Sequence, residues 1–242
     1  MRIVQVLPKS NPGRNNPAIG YATEKNARVV LGTVPVEEDG SVNFLLRPYI
    51  PVYFQALDEQ GRAVQSMRSA VYTAPKENLS CIGCHENRHL APPPQRTPIA
   101  LRRKPSVIEP EVEGSNPFNF VRLVQPVLDK NCTSCHKQGS ETFSLSGALD
   151  DGLWTPSYRN LRPYAFFYDS GEFVESKTFP KKFGALASRL HQILENGHKN
   201  VALTDEEKRR ITLWLDSNSD FYGTYENIEA QRRGEIVFPI LE

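Results

Sequence analysis

Cysteine, methionine and long apolar runs are all scarce in this chain, and each shortage closes off a class of explanation. Its four cysteines all fall inside two short segments, Cys81-Ile82-Gly83-Cys84-His85 and Cys132-Thr133-Ser134-Cys135-His136. None is left for a structural disulfide or a separate thiolate site. No apolar stretch approaches the ~18–20 residues that a membrane-spanning helix needs, so no transmembrane segment is expected. A formal net charge of +1 supplies no basic field for nucleic acid. The opening Met1-Arg2-Ile3-Val4-Gln5-Val6-Leu7-Pro8 lacks the ordered charged, apolar and small-residue regions of a secretory leader.

What is present carries more weight. Each Cys-x-x-Cys-His pentapeptide is the attachment signature of a c-type haem. Thiols three residues apart can each add to one vinyl group of the same porphyrin, and the histidine that follows lies within reach of the iron. A four-cysteine zinc site would have to pair thiols from the two distant pentapeptides and ignore both histidines. The expectation is two covalent haems, with Cys81, Cys84 and His85 at the first and Cys132, Cys135 and His136 at the second. Haem is attached to such motifs outside the bacterial cytoplasm. The chain is therefore expected to be periplasmic or extracellular, either with its leader removed or as one region of a longer exported protein.

The fold class expected is α+β. Over residues 1–75, alternation in Arg2–Leu7, Gly32–Val36, Val42–Leu45, Val52–Leu57 and Ala63–Arg68, with turns at Glu38–Ser41 and Asp58–Arg62, predicts a small antiparallel β-sandwich leading to the first haem motif. Residues 76–116 hold that motif and a proline-rich linker containing Pro92-Pro93-Pro94. Residues 117–242 read as a mainly α cytochrome c-like domain. Asn116-Pro117 reads as the N-cap and first residue of a helix that Pro126 kinks or restarts before Cys132. Residues 185–194 form a helix with Leu186, Leu190, Ile193 and Leu194 on one face and Gly197 ending it. Thr204 and Glu207 make a capping box for a helix that buries Ile211, Trp214 and Leu215. An aromatic-rich segment between 143 and 183, including Trp154, Tyr158, Tyr164, Phe166, Phe167, Tyr168 and Phe173, serves as core packing or as a lid over porphyrin.

Axial iron ligands follow by elimination. Met1 and Met67 are the only methionines, and neither lies in the C-terminal region, so the second haem has no local methionine. The five histidines are His85, His89, His136, His191 and His198. His198 follows a helix-ending glycine and is free to fold over the ring of the second haem. His191 is the alternative, or else a helix-surface residue. Ligation by His136 and His198 leaves no open coordination position, which suits electron transfer. At the first haem, His85 and His89 project from one face if the motif continues as a helix. One of them binds iron, and the other side is open or capped by His191, Met67 or another chain.

The runs Gly32–Ser41, Val52–Asp58, Gly61–Ser69 and Cys81–Glu86 resemble the hydrazine synthase alpha subunit and related exported multidomain haem proteins. Gly197-His198 with Val201, Leu203 and Thr204, and Trp214-Leu215-Asp216 with Asn218–Gly223, are similar to the same group. The resemblance implies His198 as distal ligand of the second haem. It also implies that the first pentapeptide's histidine turns from iron toward a zinc ion while a tyrosine four residues later takes the iron. Here that fourth residue is His89, and the group's upstream domain, which contributes to the zinc site, is absent from this sequence.

Two functions are expected from these features. One is a dihaem c-type cytochrome that transfers electrons to a redox partner or within a larger haem complex of further domains or subunits. The other is a haem enzyme of nitrogen or peroxide chemistry, with catalysis at the first haem and electron relay at the second.

Overall fold

The computed structural model describes residues 1–9, 16–22, 26–83, 97–137, 143–150, 152–167 and 179–241. Four short strands rich in β-branched residues pair antiparallel: β1 (Arg2–Val6), β2 (Arg28–Thr33), β3 (Val52–Leu57) and β4 (Ala63–Ser66). Their order is β2-β1-β3-β4. The Asp58–Arg62 turn closes the β3–β4 hairpin, with the Asp58 N–H donating to the Arg62 carbonyl at 3.0 Å.

Among the described residues this is one sheet, where the alternation predicted a sandwich of two. The expected strand at Val42–Leu45 is a loop that makes a single parallel bridge from Phe44 to Ser106. Pro48 and Pro51 follow it closely, and proline cannot donate to a ladder. The second layer over the sheet is instead a small apolar cluster, in which Ile3, Val34 and Val52 pack with Val42, Phe44, Leu46 and Ile108.

Both sheet edges are covered, which removes them as templates for pairing with other chains. Thr33 and Glu109 exchange backbone hydrogen bonds of 2.8 and 3.0 Å at the β2 edge, and Lys181 N–H donates to Val64 at 2.9 Å on the β4 edge. The first of these contacts requires Gly32. A Cβ there would lie 2.0 Å from the Glu109 carbonyl oxygen, and the residue sits at φ +137°. The described part of the proline-rich stretch thus lies against the sheet, after a 3-10 turn at Ile99–Arg102.

The helical part comprises α1 (Phe120–Leu123), α2 (Gln125–Asn131), α3 (Pro156–Leu161), α4 (Gly184–Ala187), α5 (Arg189–Glu195), α6 (Asp205–Asp216) and α7 (Ile228–Arg232). Two expected boundaries move. The first helix is capped by Asn119, whose side chain accepts from Arg122 N–H at 3.1 Å, and not by Asn116. The predicted helix over 185–194 divides at Ser188, whose hydroxyl accepts from His191 N–H at 3.0 Å and so starts α5 afresh. Pro126 restarts the chain as α2, as its fixed φ favours at a first turn.

One core runs through both parts. Leu7, Ile19, Ala27, Val29 and Val30 join Phe120, Leu123, Val127, Tyr158, Leu213, Trp214 and Phe221. At the junction Arg2 is 2% exposed, yet its guanidinium is fully engaged. It donates to Glu111 at 2.6 Å, to Asp216 at 3.0 Å and to Gln55 at 2.8 Å. Asp216 also accepts from the Ala63 and Ala185 N–H groups, each at 2.9 Å. Burial works against the charge on Arg2, but Glu111 and Asp216 outweigh it and raise its pKa. A second pair, Arg28 with Asp220 at 3.0 Å, repeats the join nearby.

Removing one member of a buried pair leaves the other charge uncompensated. Arg2→Met, which keeps most of the stem volume, is expected to lower the unfolding free energy by about 3–5 kcal/mol in urea titrations. A loss under about 1 kcal/mol would show that this pair does not hold the sheet to the helices.

Candidate haem site

Helix α2 delivers the second pentapeptide. Its last turn runs into Cys132, whose N–H donates to Leu128 at 2.8 Å, and the chain then tightens so that His136 N–H donates to Cys132 at 3.0 Å. The motif is held as a compact turn, with Cys132 half-buried and Cys135 exposed. Burial pushes the Cys132 thiol up to about 11, with Cys135 and Glu207 adding to the shift.

The imidazole of His136 is oriented from behind. Its Nδ1 lies 3.1 Å from the Phe143 carbonyl oxygen. A carbonyl only accepts, so Nδ1 carries the proton and Nε2 keeps its lone pair for a metal. The same segment is fastened by Leu145 N–H to the His136 carbonyl at 3.0 Å. Gln125 on α2 holds it from below, donating to the Leu145 carbonyl at 3.1 Å and accepting from Ser157 at 2.6 Å. The rings of Phe143 and Tyr164 follow in an edge-to-face chain, His136 to Phe143 at 5.4 Å and Phe143 to Tyr164 at 5.2 Å.

His198 lies in the loop between α5 and α6, past Gly197, which takes φ +81° after the helix end. The centroids of its ring and that of His136 are 6.1 Å apart, and the two planes are 15° from parallel. An imidazole nitrogen bonds a transition metal at about 2 Å and lies about 1 Å from its own ring centre, so two imidazoles on opposite sides of one metal hold their centroids about 6 Å apart. The spacing fits an iron held between His136 and His198, and the pentapeptide beside them fits the covalent attachment of its porphyrin.

His191 is not brought to this pair. Its Nε2 lies 3.4 Å from Arg62 Nη1, on the β3–β4 hairpin. Burial pushes its pKa below the ordinary value, with Glu195 pulling it up and Arg62 down. Met67 stays with the sheet, its N–H donating to Phe54 at 3.0 Å. Cys81 is exposed, at the end of a run from residue 75 to 83 that is exposed throughout. Cys84, His85 and His89 lie outside the described residues, as do Tyr168 and Phe173, so the expected ligands of the first haem and its zinc carry no geometry here. Among the described residues no group of three or more His, Cys, Asp or Glu side chains is placed to hold a metal ion.

The aromatic segment serves two purposes. Tyr158 is fully buried and packs with Tyr21, Phe120, Trp154 and Phe221, while Phe143 packs on His136 and Tyr164 on Phe143. The residues that sequence reasoning passed over are the Phe143 carbonyl and Gln125. A backbone acceptor leaves no signature in the residue type that bears it, and a lone glutamine on a helix is usually a surface residue.

Glu207 adds an electrostatic tie. Its carboxylate accepts from Lys130 at 2.9 Å, Asn131 at 3.1 Å and Thr204 N–H at 2.8 Å. These bonds, that from Lys130 first, hold its pKa down to about 2 against burial. A carboxyl whose folded pKa is depressed stabilises the fold above its unfolded value of about 4.3, and loses that contribution as pH falls through the folded value. Unfolding midpoints of the protein and of Glu207→Gln should therefore differ most above about pH 5 and converge toward pH 2. A difference that stays constant over that range would show that Glu207 gains nothing from these partners.

Residues 2–86, which take in the sheet and the first pentapeptide, match the family model of the hydrazine synthase alpha subunit middle domain. The hydrazine synthase subunit alpha of Kuenenia stuttgartiensis is 23% identical over 278 aligned positions, spanning 82% of this chain and 34% of that protein. The solved hydrazine synthase of Kuenenia stuttgartiensis superposes on 92% of this chain and 38% of its own, with a TM-score of 0.59 and 18% identity, a likeness of fold. The chain thus spans about a third of the length of these relatives.

Proposed function

We propose that this chain, which is hydrazine synthase alpha-like, is an exported dihaem c-type protein of redox nitrogen chemistry, with reaction at the first pentapeptide and electron relay at the second. The observation that carries the relay is the pairing of His136 with His198, ring centroids 6.1 Å apart. When bound, each haem supplies a one-electron iron(III)/iron(II) couple. At the second site His136 and His198 are the residues that would hold the iron. The Phe143 carbonyl keeps the Nδ1 proton of His136 in place, which strengthens Nε2 as a donor. His198 would hold the same iron together with His136, and the chemistry the site would supply is electron transfer.

The reaction is assigned to the first site because the family match over residues 2–86 takes in its pentapeptide. Cys81 and Cys84 carry the porphyrin, His85 or His89 binds its iron, and a zinc ion near His85 belongs to the same reading. Export to the periplasm follows from the attachment chemistry, and no described helix is long and apolar enough to cross a membrane. The partner is a redox protein or further subunits, in keeping with a relative that is itself named as a subunit.

A second reading is electron transfer at both haems, and it too draws on the pairing of His136 with His198. Carbon monoxide or nitric oxide added to the reduced holoprotein separates the two. The proposed function predicts that the first haem binds gas and the second does not, whereas no spectral change with either gas leaves electron transfer alone. His198→Ala should keep the second haem attached and convert it from low-spin to a high-spin, gas-binding form. A low-spin spectrum unchanged by that substitution assigns the ligand elsewhere.

A further inference from the structure

We infer that Glu207 is a positioning residue for the second iron, setting the separation of His136 and His198 by tying their two segments to one carboxylate. The inference rests on the reading of those histidines as axial ligands and goes beyond it. His136 and His198 belong to different stretches of chain, and neither stretch fixes the other by its own local structure. The pentapeptide is placed by the end of α2, because Asn131 directly precedes Cys132. The His198 loop is placed by the start of α6, because it closes on itself through Val201 N–H to the His198 carbonyl at 3.1 Å and then meets the N-cap Thr204.

Glu207 reaches both ends. Its Oε1 accepts from Asn131 Nδ2 at 3.1 Å and from Lys130 Nζ at 2.9 Å, on the pentapeptide side. Its Oε2 accepts from Thr204 N–H at 2.8 Å, on the loop side. An ordinary capping box uses one oxygen and is satisfied by glutamine as well as glutamate. Here the second oxygen is spent across the helix boundary, on donors adjoining Cys132. Asn131 is itself anchored, since Nδ2 also donates to Val127 at 3.0 Å. Docking of α6 as a whole does not depend on this carboxylate. Arg210 donates to the Arg122 carbonyl at 3.2 Å, and Ile211, Trp214 and Leu215 are buried beyond it.

The test compares Glu207→Ala, Glu207→Gln and the double variant Lys130→Met/Asn131→Ala with the parent and with His198→Ala, all as mature holoproteins. The readouts are the low-spin signal of the second haem in paramagnetic resonance, identified as the component that His198→Ala removes, and its reduction potential. The inference predicts that Glu207→Ala and the double variant raise the fraction of the second haem that is high-spin by roughly tenfold or more, as expected for loss of a hydrogen bond to a charged group. Glu207→Gln, which keeps the cap but has one accepting oxygen, should fall between. If Glu207→Ala fails to fold, the double variant Lys130→Met with Asn131→Ala decides alone, because it removes both donors on the pentapeptide side and leaves the capping box whole. Unchanged spin state and potential in that double variant, with His198→Ala still converting the haem, overturns the role of Glu207 and leaves the ligand reading standing. A low-spin signal that survives His198→Ala overturns both.

Discussion

Asp216 is fully buried at the last residue of α6, and the carboxylate it holds there is shared by three parts of the chain. Arg2 comes from the first strand, the Ala63 N–H from β4 and the Ala185 N–H from α4. A buried charge is tolerated only when its partners are all present, so the sheet and the helices must arrive together for this helix end to be satisfied. The carbonyl of Asp216 takes one more bond, from Gln55 on β3 at 2.8 Å. The interaction therefore specifies which face of the sheet meets which end of α6, and the apolar core from Leu7 to Trp214 fills in around it.

Helix α6 has 12 residues, about 18 Å at 1.5 Å per residue. Its far end carries Thr204 and Glu207, next to the loop of His198 and the pentapeptide of His136. The same rigid element thus meets the sheet at one end and the paired imidazoles at the other. Two features position the imidazole pair. The Phe143 carbonyl decides which nitrogen of His136 is free, and the glycine before His198 lets the chain leave α5 in a direction a helix could not take.

The parts of the chain that could be read in advance are those whose information is local. The compact turn of the second pentapeptide, the capping box at Thr204, the turn at Asp58–Arg62 and the apolar stripe of α6 each state their geometry within a few residues. The loop position of His198 was legible because a glycine marked the helix end, and the structure brings its ring near that of His136. The failures share the opposite property. Val42–Leu45 alternates like a strand, but whether it becomes one depends on a distant partner, and Ser106 offers a single bridge. Ser188 looked like a helix interior because its cap function is visible only once His191 N–H is placed over it. Arg2 and Asp216 stand far apart in sequence, and nothing in either neighbourhood marks a buried pair.

The central claim is that one iron sits between His136 and His198 with their ring planes nearly parallel. Low-temperature paramagnetic resonance of the oxidised holoprotein reads that orientation directly, because the anisotropy of a low-spin iron with two imidazoles depends on the angle between their planes. Planes 15° from parallel predict a rhombic low-spin signal with all of its g components resolved. A strongly anisotropic signal of the perpendicular type, or no low-spin component beyond that of the first haem, would contradict the account.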